Sequence, residues 1–344
     1  MIDTTKFYAY ITNMVLDRLQ DKNTLKRKGV KLYGNGFYLM HPFKYDNPKV
    51  YFNLDKREIS IETSVPKLLQ GHNVFGSNKV EYLCLAVLNL IYQRLGLRFD
   101  SRERRLVKNK RIRLGRVDIT CSFRLASLED VVAVVEACSE HLRAEGCQWA
   151  SEGQNDFEST YHQKHSKRVA EKFYAKYIEL LVKRHKIPDS VAERDLIMQY
   201  ARTLLRFEVM WRAPELHRLD LEYADDWTPA LVREKLMARL DRLNLKGAIK
   251  QTIASKLLDG LNPGAQACYD FWTQGCNLRR SRQYPPVSRA RELLLEHNVD
   301  IFRRPDACSD IALNELLIAQ NAYFLAPKRL TRQGLICGVR SRRR

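Results

Sequence analysis

The sequence predicts an α+β chain: an antiparallel-rich sheet with helices on one face, followed by a mainly helical region. Three observations carry that expectation. Segments of period two, each with one apolar and one polar face, recur through about the first 210 residues. Helix signals are interspersed among them. Beyond about residue 211, helix signals dominate and strand signals become few. Chain length allows one large core or, more often, two domains. We therefore expect a division into residues 1–215 and 216–344.

The 344 residues carry a formal net charge of +19, far beyond what solubility requires. This excess predicts a polyanionic partner, most simply nucleic acid. No segment resembles a membrane span and no signal peptide is evident, so a cytoplasmic protein is expected. The eight cysteines show no paired C-x-x-C spacing and read as reduced and mostly buried.

Residues 6–13, FYAYITNM, read as the opening strand, and the basic stretch 14–31 as surface. Strands or a hairpin follow over 32–39 and 49–64, turning at Asp55 and Lys56. There Ile59 and Ile61 alternate with Glu58, Ser60 and Glu62. In LLQGHNVFGS, 68–77, Gly71 and Gly76 predict tight turns. His72 and Asn73 either satisfy backbone groups there or face a working site, His72 then as a metal ligand or phosphate contact. Asn78, with Glu81 as box partner, predicts the cap of a buried helix over about 79–94.

The basic run 101–113, SRERRLVKNKRIR, leads into LGRVDITCS, 114–122. It predicts a hairpin arm or strand start that touches phosphates through Arg104, Arg105, Lys108, Lys110, Arg111, Arg113 and Arg116. In the strand that follows, Arg116, Asp118, Thr120 and Ser122 share one side and Val117, Ile119 and Cys121 the other. Ser127 and Asp130 form a capping box for a helix to about 144, packing through Leu128, Val131, Val132, Val135 and Leu142. DFESTY, 156–161, puts Glu158 and Thr160 together. His162 and His165 lack a matching pair for zinc and read as phosphate contacts or surface.

The centre of interest is VAEKFYAKYIEL, 169–180. As a strand it places Tyr174 and Lys176 on one face; a helix is also compatible with its pattern. A helix over 189–203 then leads to LLRFEVM, 204–210, where Arg206 and Glu208 oppose Phe207 and Val209. A tyrosine beside a lysine suits covalent attack on phosphorus, the ammonium meeting the charge that develops on oxygen. With 16 tyrosines in the chain, packing alone would account for an isolated pair. The acid-bearing strands strengthen the chemical reading, since converging Asp118, Glu158 and Glu208 would suit Mg²⁺ or Mn²⁺. The alternative is structural, with Arg116 and Arg206 pairing to Asp118 and Glu208 across neighbouring strands.

In the last third, helices are expected near 214–221, 229–242, 246–258, 263–274, 288–297 and 310–325. Thr228-Pro229 opens the second and Ser288 caps the fifth. Two helices joined by a basic loop fit a helix-turn-helix-like unit or an ordinary bundle. The basic tail from Lys328 onward suits nonspecific phosphate binding.

Taken together, MID at the start, SVPKLLQGHNVFG (64–76), GRVDITCS (115–122), DFESTY (156–161), YAKYIEL (174–180) and LLRFEVM (204–210) resemble the filamentous-phage rolling-circle replication initiators. These form the gene II/gene X family of nicking-closing endonucleases. The pieces occur in the family's order and cover the first two-thirds of the chain. The resemblance implies a relaxase-like nuclease domain that nicks one strand of phage origin DNA, duplex or single-stranded. A 5′-phosphotyrosine forms, a 3′-OH primer is left, and strand transfer later closes the displaced circle. It places the nucleophile at Tyr174, with Lys176 and Arg206 neutralising charge, and the conserved acids at Asp118, Glu158 and Glu208. Mg²⁺ or Mn²⁺ would be the cofactor, and host helicase and polymerase the partners, in the bacterial cytoplasm. Distant relatives carry a histidine–hydrophobe–histidine metal motif that is absent here, so His72 joins the acids as a candidate ligand. Tyr161 and Tyr177 are candidates for a second transfer step. The rivals are a non-catalytic origin or single-strand binder and a nuclease that uses water. A ring at Tyr174 packed far from the acids and from any basic groove would contradict the assignment.

Overall fold

The computed structural model describes residues 1–13, 16–17, 30–33, 36–39, 43–144, 149–152, 159–182, 185–243, 260–274, 276, 278, 287–296, 299–302, 327–332 and 336–337. Its frame is one sheet of strands β1 (Ile2–Tyr10), β2 (Val30–Tyr33), β3 (Gly36–Leu39), β4 (Lys49–Asn53), β5 (Glu58–Ser64), β6 (Arg113–Arg124), β7 (Trp149–Glu152), β8 (Ser159–His162), β9 (Val169–Ala175) and β10 (Leu204–Arg212). They lie in the order β2-β3-β4-β5-β1-β6-β10-β9-β8-β7. Every pairing between them is antiparallel.

Period two decides what each face holds. Phe7, Ile61, Ile119, Cys121, Phe173, Phe207 and Val209 are buried in the main core. The rings of Phe173 and Phe207, opposite one another on β9 and β10, stack at 4.7 Å. Burying each such side chain is worth about 1.5–3 kcal/mol. Helices α1 (Val65–Gln70), α2 (Val80–Arg94) and α3 (Ser101–Asn109) come in succession between β5 and β6, and α4 (Leu128–Ala144) follows β6. Val80, Leu83, Val87, Leu88 and Ile91 of α2 and Val131, Val134, Val135 and Leu142 of α4 join that core. Ser127 caps α4 as the sequence predicts: its Oγ accepts from Asp130 N at 3.0 Å, while its own N–H donates to the Asp130 carboxylate at 3.0 Å.

Several local expectations change. The run 101–113 is not an extended arm, because α3 occupies most of it, capped by Asp100, whose Oδ1 accepts from Glu103 N at 2.9 Å. That cap lies one residue before the basic run, and Glu103 and Val107 form its buried face. Helix α2 begins after Lys79 rather than Asn78, with Ser77 Oγ accepting from Lys79 N. Of the two loop glycines, Gly71 is left-handed (φ 85°) and ends α1, but Gly76 is not; it lies against Met1. Segment 169–180 is strand and then helix: β9 ends at Ala175, and α5 (Lys176–Leu181) starts at once.

Helices α6 (Arg194–Ala201), α7 (Ala213–Arg218) and α8 (Pro229–Arg242) come next. Thr228 caps α8, its Oγ1 accepting from Leu231 N at 3.2 Å. The expected division at 215–216 is not marked by a break in packing. Leu216 of α7 and Val232, Leu236 and Leu240 of α8 enter the same core as the sheet. A separate apolar cluster is built by α9 (Pro263–Thr273) and α10 (Val287–Glu296), through Cys268, Trp272, Ala290 and Leu294. Ser288 is already inside α10, which starts one residue earlier. A short helix, α11 (Lys328–Arg332), follows. The helices expected over 246–258 and 310–325, the loop arginines 279, 280 and 282, and the tail after 337 lie outside the described residues.

Candidate active site

The polar face of β6, β10, β9 and β8 carries the candidate residues. Register sets them in rows across the strands. Glu208 lies between Thr120 on β6 and Lys172 on β9, and Lys172 faces Tyr161 on β8. One step along, Arg206 lies between Ser122 and Tyr174, and Tyr174 faces Ser159.

Tyr174 is only 2% exposed, and its hydroxyl donates to Glu208 Oε2 at 3.0 Å. Burial, then the carboxylates of Glu179 and Glu208, push the phenol well above its ordinary value. Glu208 is itself raised, first by burial and then by Asp3. The ring is therefore interior, but beside an acid and two ammonium groups. Lys172 Nζ lies 4.4 Å from its centroid and Lys176 Nζ 5.7 Å.

Lys176, the first residue of α5, is fully buried. Its Nζ donates to Asn73 Oδ1 at 2.8 Å and to the Glu179 carboxylate. Burial brings this amine down to about 8, against the pull of Glu179. Arg206 is also fully buried and does not pair with Glu208. It donates to the carbonyls of Asn73 (3.1 Å) and Val74 (2.7 Å) and to Thr120 Oγ1 (3.1 Å). Arg206 thus fastens the loop after α1 to the sheet. His72 in that loop is buried, and its Nδ1 accepts from Val74 N at 3.3 Å. Burial, then the charges of Lys176 and Arg206, hold the imidazole down at about 3, so it is neutral at physiological pH.

Asp118 is gripped by Arg116 on its own strand, with bonds of 2.8 and 2.5 Å. Burial and the nearby Glu208 and Asp3 nevertheless raise it to about 7. Asp3 was not among the expected site residues. Strict alternation from Thr5 and Phe7 would put it on the apolar face. An extra residue in β1 shifts the register between Ile2 and Thr5 and turns Asp3 to the polar side. There it accepts from Ser64 Oγ (2.6 Å) and Asn73 Nδ2 (2.7 Å). Glu179 and Lys172 were likewise unassigned, whereas Asn73 had been read only as a loop residue that satisfies backbone groups or faces a working site. Of Glu179 and Lys172, only Lys172, two residues before Tyr174 on the same strand, carried a usable signal.

Among the described residues no group of three His, Cys, Asp or Glu side chains could hold a metal ion. Asp118, Asp3 and Glu208 already accept from Arg116, Ser64 with Asn73, and Tyr174; Glu158 lies outside the described residues. These side chains do not make the oxygen cage that Mg²⁺ or Mn²⁺ takes.

The basic residues before β6 are largely engaged with the protein itself. Lys108 pairs with Glu81 (2.8 Å), Arg111 with Asp225 and Asp226, and Arg113 with Glu58 (3.1 Å). Lys110 lies over the Tyr10 ring and Arg104 over Phe99, while Arg104 and Arg105 are exposed.

Comparison with known proteins supplies the family. The Phage CRI family, described as the N-terminal part of a replication-associated protein, matches residues 49–230, more than half of the chain and all of β5, β6, β9 and β10. The chain belongs to the Phage CRI family. The replication-associated protein of Enterobacteria phage I2-2 is 25% identical over 244 residues, covering 70% of this chain and 69% of that protein. A solved rolling circle replication initiator protein from Geobacillus stearothermophilus aligns over 88% of this chain and 98% of its own, at 11% identity and a TM-score of 0.31. Among the described residues of this Phage CRI chain, no helix is long and apolar enough to cross a membrane.

Proposed function

We propose that this chain initiates rolling-circle DNA replication by nicking one strand at a phage origin, with Tyr174 as nucleophile. The observation that carries the reading is the bond from the Tyr174 hydroxyl to Glu208, a carboxylate whose affinity for a proton is raised. Glu208 takes the phenol proton as the tyrosyl oxygen attacks phosphorus. The new O–P bond forms as the bond to the 3′-oxygen breaks, and that oxygen leaves as a 3′-OH after taking a proton from solvent. The energy of the broken ester is kept in the 5′-phosphotyrosine. Rejoining is the reverse attack by a 3′-OH and needs no nucleotide cofactor.

Tyr174 is sealed from solvent here, so attack requires its cover to part when DNA docks on the polar face. Exposed Arg104 and Arg105 would hold phosphates, and a host helicase and polymerase would use the opened duplex and its primer. The test is nicking of a supercoiled plasmid carrying the noncoding DNA beside the chain's own gene. Tyr174→Phe is expected to lose nicking and the covalent protein–DNA adduct while keeping DNA affinity. Retained cleavage would overturn the assignment. Binding without cleavage by the unaltered chain would favour the non-catalytic origin binder.

A further inference from the structure

We propose that Lys172 is the positioning residue that keeps a cation beside the reacting oxygen of Tyr174, a role the Tyr-x-Lys spacing had given to Lys176. This inference rests on the reading of Tyr174 as nucleophile. Lys176 is badly placed for the task. Its ammonium is fully buried, bonded to Asn73 and to the Glu179 carboxylate, and its charge is already matched. It stands 5.7 Å from the Tyr174 ring. Lys172 is closer, at 4.4 Å, and only half-buried.

The sheet register explains the placement. Lys172 is directly opposite Glu208 on one side and Tyr161 on the other, and it shares a strand face with Tyr174. Its ammonium lies over both phenol rings, at 4.4 Å from the Tyr174 centroid and 4.8 Å from that of Tyr161. The groups facing it are therefore Tyr161 on β8, Tyr174 on β9, Glu208 on β10 and, further off, Glu179 on α5. Burial works to lower this amine, but Tyr161 and Glu208 raise it above its ordinary value and hold it charged.

The chemistry follows from where negative charge sits. Before attack it is on Glu208. When the phenol proton moves to Glu208, the charge moves to the tyrosyl oxygen and spreads into the ring. A cation over that ring gains attraction as the ring becomes anionic. Lys172 lies across the strands from Glu208 and over the Tyr174 ring, so the same cation faces the charge before and after transfer. An interaction that strengthens toward the transition state appears in kcat more than in KM. Lys172 exchanges no proton in this scheme.

The test uses the full chain and the same supercoiled plasmid. Lys172→Gln and Lys172→Met should lower kcat for nicking by on the order of tenfold to hundredfold with KM nearly unchanged. Both should move the acid side of the pH–rate profile upward, because Glu208 loses a cation that lowers its affinity for a proton. Lys172→Arg should restore most of the rate. Lys172→Met keeps the stem that packs on both rings, so it guards against a folding defect in the Gln variant. Unchanged kcat and pH profile in both neutral variants would overturn the proposal. If Tyr174→Phe is inactive while Lys172→Gln is normal, this inference alone falls; if Tyr174→Phe still nicks, the reading beneath it falls.

Discussion

Lys176 and Glu179 show how a single buried pair ties the site together. Lys176 bridges the loop residue Asn73 and its own helix, and Asn73 in turn binds Asp3 of β1. Replacing Glu179 by Gln leaves an ammonium with no exposed surface short of its counter-charge. That should cost about 3–5 kcal/mol, read from urea unfolding at neutral pH. Burial opposes ionisation of Glu179, yet Lys176 holds its folded value down at about 2, below its ordinary 4.5. The pair's contribution is therefore complete from about pH 4.5 up to the region below the Lys176 value of about 8, and is lost as pH falls toward 2. Melting temperature followed across that window should fall less in Glu179→Gln than in the unaltered chain; identical slopes would contradict the assignment. At this scale the sequence was informative wherever period two held. Arg206, Glu208, Asp118 and Tyr174 do share one face of neighbouring strands. Asp3 escaped because one extra residue in β1 inverts its side, and a bulge leaves no mark in the alternation. The burial of Arg206 was also hidden, since it depends on the Asn73 and Val74 carbonyls of the loop 71–76 folding over it.

That loop is the element on which the site depends. It leaves α1 through Gly71 at φ 85°, passes His72 and Asn73, and is held by the Arg206 guanidinium. A Cβ at Gly71 would lie 2.4 Å from Val191 Cγ2. Gly71→Ala should therefore cost about 1–2 kcal/mol from the left-handed backbone alone, with the clash in addition. Urea unfolding would measure the loss, and nicking should weaken with it; a variant as stable as the original would contradict this picture of the turn. Elements with strong local signals were readable, as the Ser127 box and the Thr228 cap show. The change from β9 to α5 was not. YAKYIEL satisfies either period, and the choice is made by tertiary packing: Leu180 reaches the apolar cluster around Phe75 and Ile197. Basic side chains likewise disguised α3, whose buried stripe is only Glu103 and Val107.

Across the whole molecule, the net charge of +19 points to a polyanion but does not say which basic residues meet it. Lys108, Arg111, Arg113 and Arg116 all have carboxylate partners; the first three are exposed, as are Arg104 and Arg105. Substituting both Arg104 and Arg105 by Gln should flatten the salt dependence of DNA binding. The slope should fall by about 0.9 for each phosphate that is no longer neutralised. Fluorescence anisotropy between about 50 and 200 mM salt reads this directly; an unchanged slope would mean that other residues hold the phosphates. The general architecture was legible because alternating strands and capped helices are local codes. The continuity of the core through α7 and α8 was not, since it rests on Leu216, Val232, Leu236 and Leu240 meeting residues far away in the chain. The measurement that bears most directly on the central claim is the site of attachment of DNA. The unaltered chain is allowed to nick labelled DNA, the adduct is digested, and the peptide carrying the nucleotide is sequenced by mass spectrometry. Phosphate on Tyr174 is the predicted result; phosphate on Tyr161 or Tyr177 instead, or cleavage with no covalent peptide, would contradict it.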